Sequence, residues 1–554
     1  MRRNTVIIKK LFNLHRGTEI ICSLCYLLAI TGYAGLTFLG HYFGDVSIEQ
    51  VVFQLKAPFM KVNTHLSIVG LLWIIIAPIF IMLFLYWGHL FIPKKFSLRH
   101  SLYRYHNYSW FHLLLSILLL LSMLVTTTYR LHIDEWLKSD SASTDLYEKY
   151  FVSSKEAGIS FPVKRNIILI YMESIEKSYH DATVFGEDLL KEINKLEQEN
   201  TEFYGIKQIV GADHTAASIF TGLCGYPLHV PLFADTSEWL KNLDSNSDCI
   251  PSILAKNGYS THYLQGSNPA VGNIREIIQY AGVKDFISLD ELNKKYNNDL
   301  PSEMKGSHWG VSDKAVFELA KKNIVKLAEN KQPFFYGIST IDTHYPDGFL
   351  NPDYCQKKYD DFSDIILCSD KTISQFINWL KQQSFFKNTT IILIGDHLAM
   401  HNDAIRKVKD QQNRSIINIF MNPIPKTTQL FRQFTPVDFT PTILAAAGAK
   451  IQKNALGLGR NLFSDESTLL EIMGNNFVQE LAKFRFMYLT FLGHKQPPQK
   501  SSKNDGAFNS TSHQNLMVQN KALKMTFLKG YEPIFRHPKI EMFFRHRALK
   551  QNKW

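Results

Sequence analysis

Three short stretches of this 554-residue chain hold side chains that could do chemistry together. Glu173 closes the apolar run "NIILIYME", and Asp396 with His397 closes a second, "TTIILIGDH". Two carboxylates and an imidazole combine hard oxygen ligands with one nitrogen, a set suited to Mn²⁺, Mg²⁺ or Zn²⁺. The third stretch, "GADHTAASIFTGLCGYPL" (211–228), offers hydroxyls at Thr215, Ser218 and Thr221. A threonine hydroxyl is a poor nucleophile at neutral pH and needs a metal or a base to take its proton. Thr215 beside a bound cation could attack a phosphorus atom in line. A lone "DH" is a weak signal, because an acid at a strand end commonly just caps a helix. The weight lies in several polar strand ends meeting one Thr-containing loop.

Positioning such residues calls for a sheet. "NIILIYM" (166–172), "PFFYGIST" (333–340), "TTIILIGD" (389–396) and "IINIFM" (416–421) are apolar runs rich in β-branched residues. Amphipathic segments such as "LLKEINKLEQE" and "DKAVFELAKKNIVKLAE" lie between them. Strands alternating with helices predict an α/β domain whose central, mostly parallel sheet is covered by helices. Ligands of such sheets gather at the carboxyl ends of the strands. Glu173 and the Asp396–His397 pair fall there, as does "IDTHYPDG" (341–348) with His344.

The N-terminal part reads as membrane. Ile20–Phe43, Leu66–Ile92 and Trp110–Thr128 contain no Asp, Glu, Lys or Arg, and about 20 apolar residues suffice to cross a bilayer as a helix. Arg2, Arg3, Lys9, Lys10 and Arg16 precede the first span, and Lys94, Lys95, Arg99 and Arg104 separate the second from the third. Positive loops mark the cytoplasmic side, so everything after about residue 130 is expected outside. "SIEQVVFQLK" (47–56), in the first external loop, reads as a short amphipathic surface helix. The expected layout is a transmembrane region (1–137), a linker (138–162), an external catalytic domain (163–480) and a basic tail (481–554). From Leu481 onward, fourteen Lys and Arg face three Asp and Glu, a surplus of eleven that equals the net charge of the whole chain. The basic excess therefore belongs to the tail. It fits a membrane-lipid surface or a solvated appendage and makes no case for a nucleic-acid partner.

Cys22 and Cys25 lie in the first span, and Cys224, Cys249, Cys355 and Cys368 in the external domain. Four cysteines allow three pairings. Proximity favours Cys224–Cys249 and Cys355–Cys368, and an oxidising compartment favours bridges over buried thiols.

"NIILIYMESIEKSY", "GADHTAASIFTGLCGYPL", "HWGVSDKAVF", "DTHYP", "CSDKTISQF" and "IILIGDHLAMH" stand in the order and rough spacing of the membrane phosphoglycerol transferases. These are alkaline-phosphatase-like, sulfatase-like enzymes that include the lipoteichoic acid synthases, and the chain most resembles the branch that decorates osmoregulated periplasmic glucans. The resemblance covers about 160–460. It implies an enzyme of the bacterial inner membrane with its catalytic domain in the periplasm. Such an enzyme would take phosphoglycerol from phosphatidylglycerol, hold it on a threonine, and pass it to a periplasmic glucan, a lipooligosaccharide or another glycan. One divalent ion, Mn²⁺ ahead of Mg²⁺ or Zn²⁺, is implied on Glu173, Thr215, Asp396 and His397. By position, Thr215 matches the nucleophile. His344, His401, Arg275 and Trp309 match substrate-binding positions, with His344 also a candidate acid or base. Where lipoteichoic acid synthases carry a histidine, this chain has Gln265. The C/S-x-P-x-R signature of sulfate-ester hydrolases is absent. The alternatives are a phosphoethanolamine transferase acting on lipid A or oligosaccharide, and a non-catalytic membrane sensor of a lipid headgroup or glycan.

Overall fold

The computed structural model describes residues 2–44, 46–48, 50–52, 64–91, 98–134, 136–137, 144–229, 248–411 and 413–483. The basic tail beyond Lys483 and half of "SIEQVVFQLK" lie outside them. Among the described residues, three helices are long and apolar enough to cross a membrane. They are α1 (Arg2–Tyr42), α2 (Thr64–Leu71, continued through a π-helical turn, Leu72–Ile76, into Ala77–Phe91) and α3 (Leu98–Arg130). Their apolar side chains, Leu24, Phe84 and Leu118 among them, face outward, the surface that a hydrocarbon solvent favours.

The rest of the described chain is an α/β domain around a six-stranded sheet. Its strands are β1 (Asn166–Met172), β2 (Ser260–Gln265), β3 (Asp285–Ile287), β4 (Phe334–Ser339), β5 (Thr389–Gly395) and β6 (Asn418–Met421). They lie in the order β3-β2-β4-β1-β5-β6. All neighbours are parallel except β5 and β6. The run at 416–421 therefore forms an antiparallel edge, and the sheet is mixed.

Every residue of β1 and β5 is buried, as expected of strands covered on both faces. Ile167, Leu169 and Tyr171 point to one layer and Ile168, Ile170 and Met172 to the other. The first layer holds α5 (Thr215–Cys224), α6 (Ile250–Lys256) and α9 (Phe439–Ala446). The second holds α4 (Lys191–Glu199), α7 (Asp313–Glu329) and α8 (Phe362–Lys381). The stretch from Thr144 to Pro162 packs on the first layer. Leu146 and Tyr147 are buried, and Ile159–Ser160 pairs with Lys450–Ile451.

The disulfides are Cys224–Cys249 and Cys355–Cys368, the pairing that proximity favours. The first joins the last residue of α5 to the N-cap of α6, closing a separation of 25 residues. In the chain-entropy picture, a loop of that size adds about 3 kcal/mol to stability. Replacing both Cys224 and Cys249 by alanine is expected to cost that amount, read as a lower melting temperature. In the variant, adding a reductant should cause a smaller further loss than in the unaltered chain, since only the second bridge remains.

Candidate active site

Glu173 follows β1 directly and Asp396 follows β5, and these neighbouring strands end in register, Met172 opposite Gly395. The two carboxylates therefore leave the sheet side by side. Gly395 permits the approach, because a Cβ there would lie 2.0 Å from the Ile175 carbonyl oxygen. Ser174 takes a left-handed φ of 54°, uncommon for a residue with a side chain and frequent at functional sites. That turn aims its N–H at Asp396 Oδ1 (2.7 Å) and its hydroxyl at Glu173 Oε1 (2.7 Å). The His397 N–H also donates to Asp396 Oδ1, at 2.8 Å. His397 Nδ1 donates to the Leu398 carbonyl at 2.9 Å, which turns Nε2 toward the carboxylates. Nε2 lies 3.5 Å from Glu173 Oε1 and 3.6 Å from Asp396 Oδ2.

Thr215 arrives on α5. His214 in extended conformation caps the start of this helix, and Gly225 at φ 80° ends it. Every residue from Ala216 to Cys224 is buried, so the helix is fixed and its first residue is presented at the sheet edge. Thr215 Oγ1 donates to Glu173 Oε2 at 3.0 Å and lies 3.3 Å from His397 Nε2. The other hydroxyls of the stretch are committed to the loop before the helix. Ser218 Oγ donates to the Ala212 carbonyl and Thr221 Oγ1 to the Gly211 carbonyl. Thr215 alone of the three meets the carboxylates.

Glu173, Asp396 and His397 are buried, and one ligand atom from each lies within 4.8 Å of the others. Burial disfavours the Glu173 carboxylate, yet the adjacent His344 and His397 hold its pKa down at about 2. Burial, then the Glu173 charge, pushes Asp396 up to about 7. Burial opposes the His397 imidazolium, but Asp396 and Glu173 raise it to about 10. The pocket thus holds a proton on the imidazole because two buried carboxylates lack enough positive charge around them. A divalent cation would supply that charge, and two carboxylates, an imidazole and a hydroxyl are a donor set that fits one.

His344 belongs to a loop fastened to Glu173. Thr340 Oγ1 accepts the Glu173 N–H at 2.8 Å, and Thr343 Oγ1 donates to the Glu173 carbonyl at 2.5 Å. Asp313, at the start of α7, accepts the N–H groups of Ile341 and Asp342 at 2.7 and 3.1 Å. Asp342 Oδ2 returns the favour to the Asp313 N–H at 3.0 Å. His344 Nδ1 donates to the Tyr345 carbonyl at 2.7 Å, leaving Nε2 open. Its ring packs on Trp309 with centroids 4.1 Å apart, and the Trp309 Nε1–H is buried without a hydrogen-bond partner.

Two of the expected substrate contacts already have protein partners. The Arg275 guanidinium is taken up by Ser288, Asp290 and Glu291 and lies over the Phe286 ring. It bonds to none of Glu173, Thr215, Asp396 or His397. Its spacing in "GNIREIIQY" resembles a phosphate contact, but a capping box at Ser288 and Glu291 offers it closer carboxylates. His401 Nδ1 donates to the Gly40 carbonyl of α1 at 3.3 Å. Sequence alone does not single out the supporting residues Ser174, Thr340 and Thr343. Their signal is a hydroxyl placed one to four residues past a strand end.

A family model described as Sulfatase matches residues 165–449. Phosphoglycerol transferase I of Escherichia coli O6:K15:H31 (strain 536 / UPEC) is 31% identical over 378 residues, 66% of this chain and 47% of that protein. The protein of the same name from Shigella boydii serotype 18 is 31% identical over 384 residues, 67% of this chain and 48% of its own length. The chain thus spans about half the length of the curated relatives it matches. Among solved structures, the lipoteichoic acid synthase LtaP from Listeria monocytogenes superposes with a TM-score of 0.49 at 13% identity, over 64% of this chain and 99% of that one. The family match takes in Glu173, Thr215, Asp396 and His397 and extends over more than half of the chain, and this protein therefore belongs to the sulfatase family.

Proposed function

We propose that this protein is a metal-dependent phosphoglycerol transferase of the bacterial inner membrane, its catalytic domain in the periplasm. It moves phosphoglycerol from phosphatidylglycerol, through a phospho-threonine at Thr215, to a hydroxyl of a periplasmic or cell-envelope glycan. The observation that carries this reading is Thr215 Oγ1 at 3.0 Å from Glu173 and 3.3 Å from His397, on the first residue of a buried helix. The names of the curated relatives support it.

Glu173, Thr215, Asp396 and His397 would hold one divalent ion, with Mn²⁺ the first candidate. Such an ion, when bound, lowers the proton affinity of a hydroxyl and offsets charge on phosphoryl oxygens. The first turn of α5 adds N–H groups that lack intrahelical partners and the positive end of the helix dipole, both favourable to a phosphate. Thr215 Oγ1 forms its bond to phosphorus as the bond to the diacylglycerol oxygen breaks. Glu173 Oε2, which accepts the Thr215 hydroxyl hydrogen in the resting arrangement, takes that proton as the bond to phosphorus forms and returns it to Oγ1 when the acceptor oxygen displaces it. His344 Nε2 hands a proton to the departing oxygen and recovers one from the acceptor hydroxyl in the second half-reaction.

The buried, unpartnered Nε1–H of Trp309, on the ring packed against His344, would be a donor for the glycerol phosphate. Trp309→Phe keeps the ring on His344 and deletes that donor. It is expected to raise KM for phosphatidylglycerol roughly tenfold with a smaller change in kcat, since a hydrogen bond to a charged group contributes about 1.5–3 kcal/mol. Steady-state kinetics on lipid micelles check this. The function itself is tested by giving the full chain phosphatidylglycerol and phosphatidylethanolamine in parallel with Mn²⁺. Release of diacylglycerol from the first lipid is expected. Release from the second alone would replace phosphoglycerol by phosphoethanolamine, and release from neither would leave the sensor reading.

A further inference from the structure

The end of α1 and the segment just past it rest on three of the loops that carry the candidate active site. His401, four residues after His397, donates from Nδ1 to the Gly40 carbonyl at 3.3 Å. Arg406 donates to the His41 carbonyl. The Phe43 ring meets Tyr345, the neighbour of His344, edge to face with centroids 6.3 Å apart. Gln50 Nε2 donates to the Asp213 carbonyl at 3.4 Å, two residues before Thr215. Gly44 turns the chain at φ 79°, and a Cβ there would lie 3.2 Å from the His401 ring, so glycine satisfies both the backbone and the contact. The segment is held in turn by its own neighbours. Ser47 and Gln50 bond reciprocally through side chain and backbone, and the Ile48 N–H donates to the Leu131 carbonyl just past α3.

We propose that residues 40–44, together with Ser47, Ile48 and Gln50, form the membrane-side wall of the active site and that a glycerophospholipid reaches Thr215 along it. The proposal rests on the transfer reading above only for the reaction; the lipid site itself stands on these contacts. The apolar span of α1 runs over Gly17–Tyr42, so Gly40–Gly44 lie where hydrocarbon gives way to headgroups. A site whose loops bear directly on that level receives a phosphodiester at the height at which a bilayer presents it. The wall has the matching chemistry. Phe43 and Tyr345 offer ring surface to the lipid's glycerol end, and aromatic residues favour this interface. Arg406, paired with Asp403 at 3.1 Å, braces this wall through the His41 carbonyl. His401 thereby fastens the loop after His397 to the wall, a positioning residue rather than a headgroup ligand.

The experiment places the full chain in nanodiscs containing phosphatidylglycerol with a diazirine at the carbonyl-proximal end of one acyl chain. After illumination, lipid adducts are mapped by peptide mass spectrometry. Adducts are expected to concentrate at residues 40–44 and Tyr345 relative to the other lipid-facing span residues. Excess unlabelled phosphatidylglycerol should suppress these adducts and spare the rest, a comparison that needs no variant. Phe43→Ala combined with Arg406→Ala should lower them about tenfold, while Thr215→Ala leaves them unchanged. Adducts spread evenly along the spans, or unaffected by competition, would overturn the proposal. Labelling of the wall without diacylglycerol release would contradict the transfer reading alone. Release with an unlabelled wall would contradict the wall alone.

Discussion

Thr215→Ala is expected to lower diacylglycerol release from phosphatidylglycerol by about 10³-fold or more while the domain keeps its fold. The size of the effect follows from the absence of a substitute. Ser218 and Thr221 are the hydroxyls nearest in sequence, and both are buried with their protons given to the Ala212 and Gly211 carbonyls. Neither can turn to the carboxylates without breaking the loop that starts α5. The small structural cost follows from where Thr215 sits. It is the first helical residue, half-buried, and its Oγ1 serves Glu173 and His397 rather than the helix. Stability should change by about 1 kcal/mol or less. Thr215→Ser retains an oxygen in the same place and should recover measurable turnover. Release assays beside circular dichroism separate loss of the nucleophile from loss of the fold. Full activity in Thr215→Ala would assign the nucleophile elsewhere.

Divalent-ion binding is expected to raise the melting temperature of the unaltered chain by several degrees, and Asp396→Asn is expected to abolish the rise. An ion at one hundred times its dissociation constant stabilises the folded state by about 2.7 kcal/mol. The origin lies in the pocket's charge. Glu173 and Asp396 are both buried, and burial with mutual repulsion already lifts Asp396 to about 7. Asp396→Asn removes one of these like charges, so the ion-free variant should be no less stable than ion-free native protein. It should also lose metal-dependent transfer. A melting series with Mn²⁺, Mg²⁺, Zn²⁺ and a chelator checks this without reference to catalysis. An unchanged rise in Asp396→Asn would place the ion elsewhere.

Much of this arrangement was legible in the residues. Continuous apolar runs identified β1, β4 and β5, because strands covered on both faces carry no polar alternation to confuse them. The acids and the imidazole directly after β1 and β5 could then be placed at one sheet edge. What a linear reading lacked was register and competition. That the run at 416–421 lies antiparallel depends on tertiary pairing with β5, which its apolar composition does not encode. Arg275 stood in a plausible phosphate motif, but the acids that claim it, Asp290 and Glu291, come from the next helix. His401 had the spacing of a ligand, four residues past His397. Its partner lies 361 positions away in α1, a contact that only the folded chain reveals. The hydroxyls of Ser174, Thr340 and Thr343 escaped notice because such residues at strand ends ordinarily serve turns. Here they hold the Glu173 backbone and carboxylate instead.

The most direct measurement is intact-mass analysis of the full chain after incubation with phosphatidylglycerol and Mn²⁺, with Thr215→Ala alongside. The account predicts a covalent gain of one glycerophosphate on the unaltered chain, mapped to Thr215 and absent from the variant. An equal gain on both chains, or none on the unaltered chain while diacylglycerol is released, would contradict it.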